Sequence, residues 1–72
     1  MPEISRFFGV VIGMFYSDHP PPHFHAVRGE YDMIVEIESS IPRGELPPRT
    51  RALVLEWALL HRLELLENWG RA

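Results

Sequence analysis

The sequence predicts an α+β domain in which a three-stranded antiparallel β-meander is covered on one face by a single C-terminal helix. Three observations support this fold: a β-branched and aromatic run at residues 7–16, two alternating segments on either side of Gly29, and a leucine-rich segment with helical periodicity at residues 48–69. The chain has 72 residues and no internal repeat, so we expect one small domain over residues 1–72.

The first predicted strand is the run FFGVVIGMFY at residues 7–16. Gly9 and Gly13 interrupt this run, and glycine inside a strand often marks a bulge or a close backbone approach. The alternation along the strand predicts that Val10, Ile12, Met14 and Tyr16 fill one face, whereas small and large side chains alternate on the opposite face, from Gly9 to Phe15.

The next two strands are predicted to form a hairpin around Gly29 and Glu30. Glycine at the first central position of a two-residue turn favours type II′ geometry, which would set His23 opposite Glu36. In this register one face carries the core residues Phe24, Ala26, Met33, Val35 and Ile37, and the other carries His23, His25, Asp32, Ile34, Glu36 and Glu38. A slip of one residue would mix the two sets, so the pattern favours this pairing.

Residues 48–69 are predicted to form one helix that begins at Pro48. The apolar stripe expected to face the sheet comprises Ala52, Val54, Leu55, Ala58, Leu59, Leu65, Leu66 and Trp69. Leu53, Trp57 and Leu60 remain on the other side of the helix. This surplus predicts a surface for a partner protein or a second copy of the chain, unless the long connection or the N-terminal segment covers it.

The composition restricts the class of protein. Cysteine is absent, the N-terminus lacks the apolar stretch of a signal peptide, and no apolar run approaches the ~20 residues that span a membrane, so we expect a cytoplasmic protein. The formal net charge of -3 opposes non-specific binding of nucleic acid. All seven basic residues are arginine, which suits bidentate contacts with phosphate or carboxylate.

The segment DHPPPHFH at residues 18–25 holds three of the four histidines. One interpretation is acid–base chemistry on RNA, in which His23 and His25 transfer protons and Glu36 fixes the tautomer of His23. The phosphate contact would then come from an arginine, with Arg28, Arg49 and Arg51 as the candidates.

A second interpretation is a metal site. His23 and His25 lie two residues apart on a strand, so their side chains point the same way and could both bind a divalent ion such as zinc. Asp18, His19 or Glu36 would complete the site, and His19 would reach the ion only if the proline loop turns back.

The third interpretation is structural, with the histidines hydrogen-bonded to their neighbours at the surface. For His61, on the helix, packing or hydrogen bonding is expected.

The segments DHPPPHFHA and VLEWALLHRLELLENW, with the opening PEISRFFGVVIGMFYSDH, resemble a family of short bacterial proteins catalogued as domain of unknown function 4160. The histidines of that family correspond to His19, His23, His25 and His61. Its members are often encoded beside another small family, in pairs that look like toxin and antitoxin modules. The resemblance therefore implies a small partner protein encoded nearby.

The order of features is also similar to that of the HicA-type messenger-RNA interferases, in which a strand histidine is catalytic. On this likeness His23 or His25 would take that role, although this chain is acidic and begins with a strand, whereas those toxins are basic and begin with a helix. We therefore predict a component of a toxin–antitoxin-like pair that acts through RNA or through its partner protein, with the face of His23, His25 and Glu36 as the site. The alternatives are a small metal-binding protein or metal-dependent hydrolase, and a non-catalytic protein-interaction module.

Overall fold

A computed structural model of the chain describes residues 2–15 and 18–71. These residues form one antiparallel sheet with strand order β1-β2-β3-β4-β5, followed by two helices. The elements are β1 Glu3–Phe7, β2 Val10–Gly13, β3 His23–Arg28, β4 Tyr31–Glu36, β5 Pro42–Gly44, α1 Pro48–Leu60 and α2 Arg62–Arg71. The predicted α+β class with an antiparallel sheet is confirmed, but the prediction of three strands and one helix is wrong.

The first discrepancy is the β1–β2 hairpin. The run predicted as one strand begins with a turn, in which Phe8 and Gly9 both have positive φ angles, 47° and 75°. Two central residues with positive φ define a type I′ turn, which pairs Phe7 with Val10 and adds the unforeseen strand β1. Val10, Ile12 and Met14, which the alternation assigns to one face, are buried, while Tyr16 lies outside the described residues.

Phe8 is a poor residue for this turn, because L-residues other than Gly, Asn and Asp rarely adopt positive φ. Its side chain is 73% exposed, so little packing compensates for the backbone conformation. We expect Phe8→Asn, which creates an Asn-Gly turn, to raise the free energy of unfolding by about 1 kcal/mol. Urea unfolding followed by tryptophan fluorescence measures the change. Phe8→Ala is the control, because it removes the same ring without favouring the turn, and an equal gain in both variants would contradict the explanation.

The central hairpin has the predicted register. His23 pairs with Glu36 and His25 with Ile34, and Gly29 occupies the first turn position with φ 57°. The face predicted as the core is buried throughout, at Phe24, Ala26, Met33, Val35 and Ile37. Hydrophobic alternation and the glycine turn together therefore determined which side chains face the helices.

The connection after β4 contains a short edge strand that the sequence pattern did not indicate. β5 pairs with β4, so that Arg43 lies opposite Ile34 and Gly44 opposite Met33. Pro42 begins this strand, as is usual for proline at a sheet edge. Gly44 has φ 96° and runs close to the backbone of β4. The edge strand brings Arg43 to the sheet face that carries the histidines.

The helical segment begins at Pro48 as predicted but is divided at His61. The backbone N–H groups of His61 and Leu65 still donate to the carbonyls of Trp57 and His61, respectively, so the interruption is confined to one residue. Val54, Ala58 and Leu65 are buried, and Leu55, Leu66 and Trp69 are partly buried against the core. Ala52 and Leu59 are exposed, so their assignment to the buried stripe is wrong.

Trp57, one of the three apolar residues left on the outer side of the helix, is covered by the N-terminal strand β1, which was the alternative to a partner surface. Its ring packs 5.2 Å from that of Phe7 and 5.9 Å from that of Phe24, between centroids. The unforeseen strand β1 supplies Phe7, and this contact explains why the tryptophan lies against the core.

Neither helix in the described part of the chain combines the length and the apolar character that a membrane span requires.

Candidate functional site

Two histidines of β3 and an aspartate from the preceding loop converge on one face of the sheet. His23 and His25 alternate with buried Phe24, so both imidazoles point away from the core. Their Nε2 atoms lie 2.9 Å and 3.3 Å from the same oxygen, Oδ2 of Asp18. Each of the three residues offers one ligand atom, and these atoms all lie within 4.8 Å of one another. This group is the Asp18/His23/His25 cluster.

His23 has an oxygen acceptor at each of its ring nitrogens. Its Nδ1 lies 2.8 Å from the carbonyl oxygen of Pro21, and a carbonyl can only accept, so Nδ1 carries a proton. A neutral imidazole then has only a lone pair at Nε2, which faces a carboxylate oxygen of Asp18. That contact is favourable when Nε2 also carries a proton or when another cation lies between the two atoms.

The loop fixes the carboxylate of Asp18. Its second oxygen, Oδ1, accepts a hydrogen bond of 2.9 Å from the backbone N–H of His19. This bond, together with hydrogen bonds from His25 and His23, holds the pKa of the Asp18 carboxyl below its usual range against the opposing effect of partial burial. The carboxylate is therefore ionised at neutral pH and available as an anionic ligand.

Aromatic rings enclose the cluster. The ring of Trp69 on α2 packs 5.0 Å from that of His23, and Phe15 packs edge-on 4.8 Å from His25. Each imidazole side chain is 12% exposed and the Asp18 side chain is 21% exposed. Because these side chains are partly enclosed, solvent screens their charges less than it screens charges at an open surface.

An open cleft of about 260 Å³ adjoins the cluster. Asp18 and His23 line one part of it, and Ile34, Glu36 and Arg43 line another. Glu36 lies beside His23 in the strand pairing, as predicted, but its carboxylate accepts hydrogen bonds from Arg43 at 3.2 Å and from Ser39 at 3.4 Å. The carboxylate that orients His23 is thus Asp18.

The structure also places the other residues predicted for the site. His19 is exposed and lines the cleft, and its backbone, through the N–H, is the part that contacts the cluster. Arg28, a predicted phosphate contact, donates to the hydroxyl of buried Thr50 at 2.8 Å. Arg49 and Arg51 are exposed on α1. His61 packs 5.0 Å from Trp57 and bonds Glu64 at 3.2 Å, in agreement with its expected packing role.

Sequence reasoning missed three contributors to the site: Trp69, Phe15 and the carbonyl of Pro21. The carbonyl depends on the path of the proline loop, in which the Pro20–Pro21 peptide bond is cis, and no side-chain pattern encodes that path. The alternation of the first run does assign Phe15 to the same face as Gly13, but the register that pairs Gly13 with His25 was not predicted.

Over residues 2–15 and 18–71, the fold and the cluster define a small five-stranded meander with a histidine–aspartate site on the sheet face that points away from the core. The family model described as Domain of unknown function (DUF4160) matches residues 9–70, so the chain belongs to this family. The matched region contains every residue of the cluster and of the adjoining cleft. No curated protein and no solved structure matches the chain, and the likeness to HicA-type interferases stays a prediction.

Proposed function

We propose that the protein binds one divalent transition-metal ion through Asp18, His23 and His25. Two imidazoles and one carboxylate are a common ligand set for zinc and for non-haem iron. Two atoms bound about 2.0–2.1 Å from a tetrahedral ion lie roughly 3.3 Å apart. The separations of 2.9 Å and 3.3 Å between the carboxylate oxygen and the two Nε2 atoms differ from this spacing by a few tenths of an ångström at most.

The observation that carries the proposal is the pair of acceptors around His23. Ligating histidines commonly donate their other ring N–H to a backbone carbonyl or a carboxylate, which fixes the tautomer and leaves the second nitrogen free for the metal. His23 donates Nδ1–H to Pro21 and directs Nε2 at the Asp18 carboxylate. An ion bound by both Nε2 and the carboxylate would take the place of the second ring proton that this contact otherwise requires.

A three-ligand site would leave the ion an open position, which is typical of catalytic metal centres. The adjoining cleft has room for a water molecule or a small ligand, and Glu36 and Arg43 line it. In a metal-dependent hydrolase the ion would supply Lewis-acid chemistry, Glu36 would be the group that takes up a proton, and Arg43 would bind an anionic group of the substrate. The 3.2 Å pair that Glu36 and Arg43 form would then open when substrate binds. A carboxylate and a guanidinium in the cleft beside the three proposed ligands are the features that favour hydrolysis as the reaction class.

The test is a zinc titration of metal-free protein that carries no polyhistidine tag. We expect one ion per chain and, with zinc at a hundred times its Kd, stabilisation by about 2.7 kcal/mol. In a domain of this size that gain raises Tm by roughly 10–20 °C, and a chelator should reverse it. Parallel titrations with manganese, iron(II) and nickel compare the affinities for these metals with the affinity for zinc. Absence of stoichiometric binding by all four ions, with unchanged melting curves, would refute the proposal.

A second candidate uses the same imidazoles without metal: RNA cleavage as one member of a toxin–antitoxin-like pair. It is supported by two imidazole rings 5.4 Å apart, one for each proton transfer, with the exposed guanidinium of Arg43 in the adjoining cleft. This candidate requires cleavage that persists in chelator and is lost in both His23→Ala and His25→Ala. Cleavage that depends on added metal would assign the activity to the metal site instead.

A further inference from the structure

A regular seam of exposed side chains runs along the helical segment on the side away from the sheet. Its positions alternate at intervals of four and three residues, which is the spacing of a coiled-coil contact surface. The seam comprises Arg49, Leu53, Glu56, Leu60, Leu63 and Glu67, all of them exposed. Leu60 and Leu63 are 76% and 77% exposed and are adjacent positions of the seam, so they form an apolar patch and not scattered single residues.

The fold of a single chain does not use this seam. Val54, Ala58 and Leu65 pack against the sheet from the opposite side of the helical segment. Trp57, expected beside Leu53 on the outer surface, instead packs on Phe7. The interruption at His61 does not break the spacing, because the backbone hydrogen bonds on either side of it keep the helical i to i−4 pattern.

The seam can pair with the same seam of a second copy that runs in the opposite direction. If a second copy lies antiparallel, Arg49 faces Glu67 and Leu53 faces Leu63 of that copy. Glu56 then faces Leu60. Two-fold symmetry repeats each contact, so such a dimer joins six leucines and closes each end with an arginine–glutamate pair. The same surface read in the parallel direction would set like charges against each other.

We propose that the protein forms an antiparallel homodimer through this seam. The dimer also accounts for charges that oppose the helix dipole in the single chain, with Arg49 near the beginning of α1 and Glu67 in the second half of α2. In the dimer, Arg49 and Glu67 each face an opposite charge on the second copy. No residue of the Asp18/His23/His25 cluster belongs to the seam, so the dimer and the metal site are independent proposals.

Charge reversal tests the pairing directly. Sedimentation equilibrium of the full chain between about 1 µM and 1 mM should give a monomer–dimer equilibrium for the wild type. Arg49→Glu and Glu67→Arg alone should each raise the dimer Kd by about ten- to a hundredfold, because each replaces two attractive pairs by repulsive ones. An equimolar mixture of the two variants should recover the wild-type affinity, because every end pair in the mixed dimer is attractive.

Two further variants test the centre of the seam. Leu60→Gln should abolish dimerisation in this range, whereas Ile41→Gln, which changes an exposed apolar side chain in the loop before β5, should leave it unchanged. Glu56→Leu should tighten the dimer at least tenfold by extending the apolar contact. Circular dichroism confirms that each variant is folded. A wild type that stays monomeric throughout, or a mixture no tighter than its components, would overturn the proposal.

Discussion

Replacing His23 by alanine should lower the affinity for zinc at least a hundredfold. The substitution removes one of the three proposed ligands, and loss even of a group that only orients a ligand commonly costs 10- to 100-fold. Competition against a chromophoric chelator measures the affinity. Because His23 also packs on Trp69, His23→Phe is the companion variant: it keeps a ring beside the indole and should lose zinc to the same extent.

His19→Ala is the matched control for this experiment. It removes an imidazole from the same loop, lining the same cleft, but outside the cluster. We expect its zinc affinity to stay within about threefold of wild type, because a side chain that does not bind the ion contributes little to affinity. A loss equal to that of His23→Ala would mean that the loop closes on the ion and that the fourth ligand considered from sequence does bind.

The sheet register could be derived from sequence because two independent signals agreed. Alternation in β3 and β4 has a period of two, so a slipped pairing would have buried Glu36 or exposed Phe24. Gly29 then placed the turn at the one position for which the apolar residues of β3 and β4 fall on the same face of the sheet. The side of the sheet on which His23 and His25 lie followed from that register.

The geometry of the site was only partly predictable. The sequence identified Asp18 as one of several partners for the histidines but gave no means of choosing among Asp18, His19 and Glu36. The choice depends on the backbone of residues 18–22, where the proline loop returns the Asp18 carboxylate to His23. Glu36 was the expected orienting group because β5 was not foreseen, and β5 supplies the arginine that binds it.

The turn at Phe8 and the packing of Trp57 could not be predicted, because at both positions local preference and tertiary packing disagree. Phe8 in a left-handed conformation is disfavoured locally, so the type I′ turn was not expected in a continuous apolar run. Trp57 has the helical phase of an outer residue, but the ring contacts Phe7 and Phe24. Helical periodicity alone cannot reveal a partner that comes from a strand at the sheet edge.

Gly44→Ala should lower the free energy of unfolding by about 2–4 kcal/mol, a large fraction of the stability of so small a domain. Two causes act together. Gly44 has φ 96°, which side-chain-bearing residues rarely adopt, and a Cβ atom there would lie 2.5 Å from the carbonyl oxygen of Asp32. That oxygen accepts the backbone N–H of Glu45, so its movement would weaken the attachment of β5 as well. We expect a fall in Tm of roughly 10–25 °C by calorimetry.

Gly29→Ala separates the two causes. Gly29 also has a positive φ, 57°, but no atom lies within 4 Å of a Cβ built at that position. Its cost should therefore be the conformational one alone, about 1–2 kcal/mol. Because Arg43 lies on β5, Gly44→Ala should also disturb the cleft beside the Asp18/His23/His25 cluster, while Gly29→Ala leaves the cleft intact. Equal destabilisation by the two substitutions would show that the contact between Gly44 and the Asp32 carbonyl does not limit this position.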